Sequence, residues 1–254
     1  MKNISRRSMI GLSGMSAVAS LAGVRAISEN SDEPGLQSKK LKIIVVGAHP
    51  GDPECGCGGT IALFTTAGHE VVAAYLTRGE AGVQGKSYEE AGKIRTDEAL
   101  KACKILKCRA EFLGQIDGSC EIKKNSYAPV NDFIKKENPD IVFTHWPIDS
   151  HRDHRICSIL AYDAWIAMEK KFALYYYEVT SGNETQNFYP TDYINIGPVM
   201  EQKSACCVAH SSQYPEDWYE KIQKTIQRFR GIELNCENAE AFVRHNQNPH
   251  KFIS

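Results

Sequence analysis

Four short apolar runs alternate with stretches of helical periodicity, and this alternation constrains the fold more than any other feature of the sequence. The runs are rich in the β-branched and aromatic residues that favour strands, and they cover residues 41–47, 70–76, 139–146 and 172–179. Helical spacing on one face is shown by Ala99, Ala102, Cys103 and Leu106, and a second helix is indicated by Ile156, Ile159, Leu160 and Trp165. A β-α-β alternation predicts a single α/β domain whose mainly parallel sheet is covered by helices on both faces, in three layers.

Length and charge narrow the class of protein further. A chain of 254 residues, 42% of them hydrophobic, is long enough to bury one substantial core. The formal net charge of -1 gives no reason to expect nucleic acid as a partner.

The first 26 residues have the pattern of a twin-arginine export signal. Arg6 and Arg7 stand side by side, a mildly apolar stretch rich in small residues follows, and Val24 and Ala26 form an A-x-A-like cleavage site. The alternative is a frayed basic N-terminus. Because the apolar stretch falls short of the roughly 20 residues that a membrane span needs, we expect no stable membrane anchor.

Residues 27–39 are polar and turn-rich, and we interpret them as a linker. The folded domain is therefore expected to cover residues 40–254. If residues 1–26 are an export signal, the protein is periplasmic or exported, and the twin-arginine export machinery is one of its partners.

A first polar cluster follows the first predicted strand, in the segment AHPGDPECGCGGT (48–60). It contains His49, Asp52 and Glu54, together with several glycines. The glycines do not form the dinucleotide-binding pattern G-x-G-x-x-G, because a pattern that starts at Gly56 needs glycine where the chain has Ile61. We expect them instead to let the chain turn tightly into a helix.

A second polar cluster, HWPIDSHRDH (145–154), follows the predicted strand at 139–146. It holds His145, Asp149, His151, Asp153 and His154. In a parallel sheet, ligands bind beyond the carboxyl ends of the strands, so the two clusters are expected to meet. A polar helix N-terminus is the alternative for a single residue, but the number of His and Asp side chains favours a metal site. Three such ligands with an open position are typical of catalytic zinc, which predicts hydrolysis of an amide or ester.

The nine cysteines fit a disulfide framework poorly, because their number is odd and a chain of this length does not need one. We expect most of them to be small buried hydrophobic residues. Cys55 and Cys57 stand near the first cluster and could be soft metal ligands. Packing is favoured, since oxygen and nitrogen ligands already complete the predicted site.

Five segments together resemble the PIG-L/LmbE-like N-acetylglucosaminyl deacetylases. They are AHPGDPECGCGGT, TRGEAG (77–82), RTDEALKACKIL (95–106), HWPIDSHRDH and AHSSQ (209–213), and they lie in the family's order between about residues 41 and 215. The resemblance implies a Rossmann-like fold and a zinc-dependent hydrolase. Its substrate would be an amino sugar or sugar conjugate, from whose nitrogen it removes an acyl group, expected to be acetyl.

The resemblance also assigns residues. One zinc ion per chain would be held by His49, Asp52 and His154. His151 would stabilise the oxyanion, and Asp153 would orient His151.

Arg95 matches an arginine that contacts the sugar, and we assign Glu80, from TRGEAG, to substrate binding as well. His210, in AHSSQ, either ends a helix, where the helix dipole favours it, or reaches the pocket.

Gly51 is the departure from the family pattern, because relatives carry there the aspartate that acts as general base. Three hypotheses follow: Glu54 or Glu80 replaces the base, Asp52 leaves or shares the metal, or the protein is a catalytically silent metal- and carbohydrate-binding protein. An aspartate at position 51 should raise hydrolysis if a base is all that is missing. It should instead strain the loop if Gly51 has a positive φ.

Replacing both Arg6 and Arg7 by lysine should trap the protein in the cytoplasm, because a twin-arginine pair is an address that a receptor reads and not a charge anchor. Immunoblots of periplasmic and cytoplasmic fractions measure this, with the unaltered signal as control. An unchanged periplasmic yield of the double variant would contradict the predicted signal.

Overall fold

The first apolar run forms an inner strand of a seven-stranded sheet in the computed structural model, which describes residues 40–249. The strands are β1 (Lys42–Gly47), β2 (Glu70–Tyr75), β3 (Arg109–Phe112), β4 (Ile141–His145), β5 (Ala173–Tyr177), β6 (Asp192–Asn195) and β7 (Ala239–Arg244). They are ordered β3-β2-β1-β4-β5-β7-β6. The first five strands in this order are parallel, and β7 runs antiparallel to both β5 and β6.

Helices cover both faces of the sheet. They are α1 (Asp52–Thr66), α2 (Tyr88–Leu106), α3 (Lys124–Glu137), α4 (Arg152–Ala167), α5 (Met200–Val208), α6 (Pro215–Trp218) and α7 (Lys224–Leu234). Ile43 and Val45 of β1 join a core with α1, α2 and α5, whereas Ile44 and Val46 join a core with α3 and α4. This alternation confirms the predicted three-layer α/β domain with a mainly parallel sheet.

The four predicted strands correspond to β1, β2, β4 and β5. The other three were not predicted, for a physical reason. β3 and β6 are the edge strands and are only partly buried, so their sequences, RAEF and DYIN, carry no apolar run. β7, with the sequence AEAFVR, is buried over its first four residues. Its apolar run is interrupted by Glu240, a charged residue that pairs with Lys203 in the interior.

The strand order reverses between β1 and β4, which lie side by side. In open α/β sheets the crevice for a ligand opens at this point, outside the carboxyl ends of the two strands. His49 follows β1 by two residues, and His145 is the last residue of β4. The two polar clusters of the sequence therefore meet at the place where this fold binds ligands.

Three glycines lie inside α1, which corrects the expectation that they form the turn before it. A Cβ atom on Gly56 would come within 2.2 Å of the Tyr177 ring, and one on Gly59 within 2.5 Å of Ile196. These glycines let α1 approach its neighbours closely, and Gly51 alone makes the turn.

A buried ion pair joins α5 and β7 to the first half of α1. The Lys203 ammonium donates hydrogen bonds to Glu240 at 2.6 Å and to the carbonyl oxygens of Glu54 and Cys55 at 2.8 and 2.6 Å. The Glu240 carboxylate also accepts from the backbone N–H of Thr60, at 2.8 Å. Both charged side chains are at most 2% exposed, so each depends on the other.

Several sequence predictions concern residues that the structure does not describe. The export signal (1–26), the linker (27–39) and residues 250–254 lie outside the described part of the chain. All nine cysteines lie inside it and are free, and seven of them are buried. Of the described helices, none has both the length and the apolar character that crossing a bilayer requires.

Substitution Lys203→Met should destabilise the fold by about 3–5 kcal/mol, because Glu240 would keep a buried charge without its cation. Urea unfolding followed by circular dichroism measures the change. The matched control is Lys221→Met, which removes a lysine from an exposed pair with Asp217 and should leave the unfolding midpoint unchanged. Equal midpoints for the two variants would show that the buried pair is not a support of the fold.

Candidate functional site

The turn between β1 and α1 places His49 and Asp52 next to each other. Gly51 has φ 107° and ψ -28°, a conformation that residues with a side chain rarely adopt, and α1 begins at the next residue. The tight turn brings the Asp52 carboxylate back onto His49, whose backbone N–H donates to Asp52 Oδ2 at 2.7 Å. The position of Asp52 is therefore fixed by the backbone before any ligand binds.

Three imidazoles converge on Asp52 Oδ2. His49 Nδ1 lies 3.3 Å from this oxygen, and His154 Nε2 lies 3.5 Å from it. His145 Nε2 lies 3.1 Å away. All four side chains are buried, since none of the four residues is more than 8% exposed. The structure thus brings together the three residues to which the sequence assigns the metal.

Carboxylates hold the other ring nitrogens of two of these histidines. His49 Nε2 lies 3.0 Å from Asp117 Oδ1, and His154 Nδ1 lies 3.2 Å from Asp149 Oδ1. A carboxylate on one ring nitrogen is the usual support of a metal-binding histidine, because it fixes the orientation of the ring and makes the other nitrogen a better ligand.

Two separations among the assigned ligand atoms match those expected around a small divalent ion. Two ligands at about 2.0–2.1 Å from a tetrahedral ion lie about 3.3 Å apart. The distances from Asp52 Oδ2 to His49 Nδ1 and His154 Nε2 are 3.3 and 3.5 Å. In the described part of the chain, three groups of residues have ligand atoms close enough for an ion: His49 with His151 and His154, Asp52 with His145 and His154, and His49 with Asp117 and Asp153. The predicted set of His49, Asp52 and His154 is divided between the first two groups, which share His154. The cluster therefore has the donors that a transition metal needs.

His145 differs from the other two histidines. Its Nε2 accepts a hydrogen bond from the backbone N–H of Ala48 at 3.0 Å, so the lone pair of this nitrogen is already in use. Burial and the neighbouring His154 lower its pKa to about 4, which makes the ring neutral at pH 7. The ring stacks on that of His154 at a centroid distance of 4.1 Å. His145 thus acts in the structure as a support for the backbone of the first loop and for the second histidine.

The charges of the cluster stabilise one another. Burial works against protonation of His49, but the carboxylates of Asp52 and Asp117 raise its pKa well above the ordinary value. Burial likewise works against ionisation of Asp52, yet the imidazoles of His154 and His49 hold its pKa well below the usual range. Asp52 is therefore an ionised, acceptor-only group, which is the form that binds a cation.

His151 and Asp153 lie at the N-terminus of α4. His151 is the N-cap residue, and its Nδ1 accepts from the backbone N–H of Asp153 at 3.2 Å. In a neutral ring the proton then resides on Nε2, which makes that nitrogen a donor. The Asp153 carboxylate accepts from the backbone N–H of Gly118 at 2.7 Å and lies 3.6 Å from His49 Nε2. Asp153 thus contacts His151 through its backbone N–H and His49 through its carboxylate.

A pocket of about 230 Å³ opens beside Asp52. Its lining includes Gly51, Asp52, Arg95, Glu184, His210 and Trp218. Arg95 is buried, packs against two loop glycines, and donates to the carbonyl oxygen of Pro50. Of the two residues assigned to substrate binding, Arg95 therefore lines the pocket.

Glu80, the other residue assigned to substrate binding, lies in the wall of the site. Its carboxylate accepts from the backbone N–H groups of Arg78 at 3.2 Å and Asp117 at 3.3 Å. It is 4% exposed. In the structure Glu80 therefore supports the loop that carries Asp117, the partner of His49.

Glu54 and His210 lie behind the Gly51 turn. Glu54 is fully buried, accepts from the Gly51 N–H at 3.0 Å and from the Tyr75 hydroxyl at 2.5 Å, and lies 3.6 Å from His210 Nε2. His210 is also buried, and a Cβ atom on Gly51 would meet its ring at 3.8 Å. Of the two interpretations of His210, a helix-end residue and a pocket residue, the structure favours the pocket.

The φ of Gly51 decides what an aspartate there would do. A residue with a side chain in this conformation costs on the order of 1–3 kcal/mol. Gly51 has a positive φ, which is the condition under which an aspartate at position 51 is expected from the sequence to strain the loop.

Two residues of the site were not found from the sequence. Asp117 follows β3, and because β3 was not predicted, no sheet edge was available on which to place this carboxylate. Glu184 lies in the loop after β5, where the segment NET (183–185) matches the N-x-[ST] pattern of N-glycosylation and has no metal or catalytic motif. The sequence does contain a weak signal for Asp117. This residue lies shortly after Leu113, the apolar residue that directly follows the parallel strand β3.

Comparisons with known proteins agree with this geometry. Residues 44–165 match the sequence profile of the PIG-L family, described as GlcNAc-PI de-N-acetylase. The diacetylchitobiose deacetylase of Thermococcus kodakarensis is 30% identical over 212 residues, which cover 75% of this chain and 78% of that protein. A 4-oxalmesaconate hydratase of Pseudomonas putida is 24% identical over 220 residues, covering 78% of this chain and 84% of that protein.

A solved structure confirms the fold. The N,N'-diacetylchitobiose deacetylase of Pyrococcus horikoshii, in complex with an inhibitor, superposes with a TM-score of 0.73 at 23% identity and covers 90% of this chain and 94% of its own. With the profile match, the identity to the Thermococcus protein and the His/Asp cluster, the conclusion is that this chain belongs to the PIG-L family of de-N-acetylases.

Proposed function

We propose that the protein is a zinc-dependent hydrolase that removes an N-acyl group, acetyl, from an amino sugar or a sugar conjugate. The observation that carries the proposal is the convergence of His49 Nδ1 and His154 Nε2 on Asp52 Oδ2, with a carboxylate at the other nitrogen of each ring and a pocket beside Asp52. Membership of a deacetylase family supports the reaction type, and the relative that is named for a diacetylated sugar supports the substrate class.

One zinc ion per chain is proposed, held by His49, Asp52 and His154. Two nitrogens and one carboxylate oxygen are a typical ligand set for zinc at a catalytic centre, where a further position stays open. When bound, zinc makes water a nucleophile near neutral pH and polarises a carbonyl group. Asp117 and Asp149 keep the two rings in place for the ion.

Two side chains have donors for the substrate. His151 carries the proton of its neutral ring on Nε2, because Nδ1 is occupied by the Asp153 N–H, and it can donate to the oxygen of an amide as negative charge develops there. Arg95 is held at the pocket wall by Pro50 and is proposed to bind the sugar. These roles follow the assignments made from the sequence.

A second function, a catalytically silent protein that binds a metal and a carbohydrate, is favoured by one observation. Gly51 places no carboxylate at the position from which relatives are expected to activate water, and its backbone conformation disfavours one. Loss of a general base typically lowers a rate by about 10²- to 10⁴-fold. We propose that the metal centre is retained in either case, and that the protein acts in the periplasm or outside the cell.

Purified protein should carry about one zinc ion per chain, and His154→Ala should lose most of it, since the variant removes one of three ligands. Elemental analysis after gel filtration gives the zinc content. His69→Ala is the matched control, because His69 lies at the opposite, amino-terminal end of β2 and should leave the zinc content unchanged. A His154→Ala protein with full zinc content would contradict the ligand assignment.

Zinc-loaded protein should release acetate from at least one member of a panel of N-acetylated sugars, and treatment with a chelator should abolish the release. Acetate is measured with a coupled enzymatic assay, and re-addition of zinc should restore activity. If the loaded protein binds a sugar of the panel but releases no acetate from any of them, the silent binding protein is the correct function.

A further inference from the structure

A substitute for the missing carboxylate has to meet three conditions. It must lie in the described pocket, it must have an oxygen that is not committed to the fold, and its position must be fixed relative to the metal ligands. Glu54 fails, because it lies behind the Gly51 turn and both of its oxygens accept hydrogen bonds there. Glu80 also fails, since it is 4% exposed and holds the backbone N–H groups of its own loop and of Asp117.

Glu184 meets the first two conditions. It lies in the loop after β5 and lines the same pocket as Gly51 and Asp52. One carboxylate oxygen, Oε2, accepts from the Thr180 hydroxyl at 2.7 Å. The side chain is therefore held by one oxygen, and Oε1 is left for a group in the pocket.

The third condition is met through Asp149. Asp149 Oδ1 lies 3.2 Å from His154 Nδ1, while its Oδ2 accepts from the Thr185 hydroxyl at 2.9 Å. The adjacent carbonyl of Glu184 accepts from the backbone N–H of Ser150 at 3.0 Å. A single carboxylate thus ties the loop of Glu184 to the histidine that is assigned to the metal.

We propose that Glu184 is the general base of this chain and replaces the carboxylate that Gly51 lacks. The proposal rests on the proposed function. In the step, the oxygen of a water molecule forms a bond to the amide carbonyl carbon, and one water proton moves to the Glu184 carboxylate. When the carbon–nitrogen bond breaks, this proton passes to the leaving nitrogen, so the products are a free amine and acetic acid.

The electrostatic surroundings of Glu184 support this role. Burial raises the pKa of its carboxyl group, and the negative charges of Asp52 and Asp149 act in the same direction. The Thr180 hydroxyl and the His154 ring oppose the rise and do not cancel it. A carboxylate with a raised pKa holds a proton better than an ordinary glutamate, which suits a group that must accept and then return one.

The test compares zinc-loaded wild type with Glu184→Gln, which keeps the shape of the side chain and its bond to Thr180. The turnover number should fall by about 10²- to 10⁴-fold, with KM and zinc content unchanged. Glu201→Gln, an exposed glutamate on α5, is the matched control and should keep full activity. Melting temperatures of all three proteins show whether each is folded.

A second variant separates a proton acceptor from a residue that only shapes the loop. Formate should restore part of the rate of Glu184→Ala and leave the rate of wild type unchanged, because the free carboxylate can occupy the space of the missing one.

Three results would overturn the proposal. Unchanged turnover in Glu184→Gln shows that another group is the base, and loss of zinc from this variant shows that Glu184 acts on the metal instead. Both leave the proposed function standing if wild type releases acetate. A zinc-loaded wild type that releases none overturns the proposed function, and this proposal fails with it.

Discussion

One oxygen atom, Oδ2 of Asp52, is the point on which the site depends. It accepts from the backbone of His49 and lies within 3.5 Å of three imidazole rings, so the end of β1, the start of α1 and both ends of the β4–α4 turn are fixed relative to it. A buried carboxylate is tolerated only where cations or donors surround it, and this one has the backbone N–H of His49 and the rings of His49 and His154. Side chains from both polar clusters therefore stabilise one buried negative charge at the point where the strand order of the sheet reverses.

The central part of the fold could be predicted because its strands are buried on both faces and are therefore continuous apolar runs, as in VVAAY of β2. Edge strands lack this signal, since one of their faces is solvated, and β3 and β6 were missed for that reason. The buried Lys203–Glu240 pair was equally beyond the sequence. The two residues are far apart in the chain, and each alone looks like an ordinary charged residue of a surface helix or strand.

The site shows the same limit. His49, Asp52 and His154 could be assigned because they follow strands that could be predicted and because their motifs resemble a known family. Asp117 and Glu184 could not, since each reaches the site on a loop whose path depends on contacts between distant residues, such as Glu80 with the Asp117 backbone. Supporting groups of this kind are chosen by geometry rather than by spacing, so a sequence motif reveals the ligands before it reveals what orients them.

Gly51 is more than a lost side chain, because its backbone conformation is one that glycine adopts easily and other residues rarely adopt. Its backbone takes a conformation that disfavours a Cβ atom, although such an atom would meet the nearby His210 ring only at 3.8 Å. A single substitution to aspartate therefore strains the turn by on the order of 1–3 kcal/mol, and this strain falls on the residue next to Asp52. The natural place for a replacement base is consequently another loop at the same pocket, where a carboxylate can be fixed without altering the turn that positions Asp52.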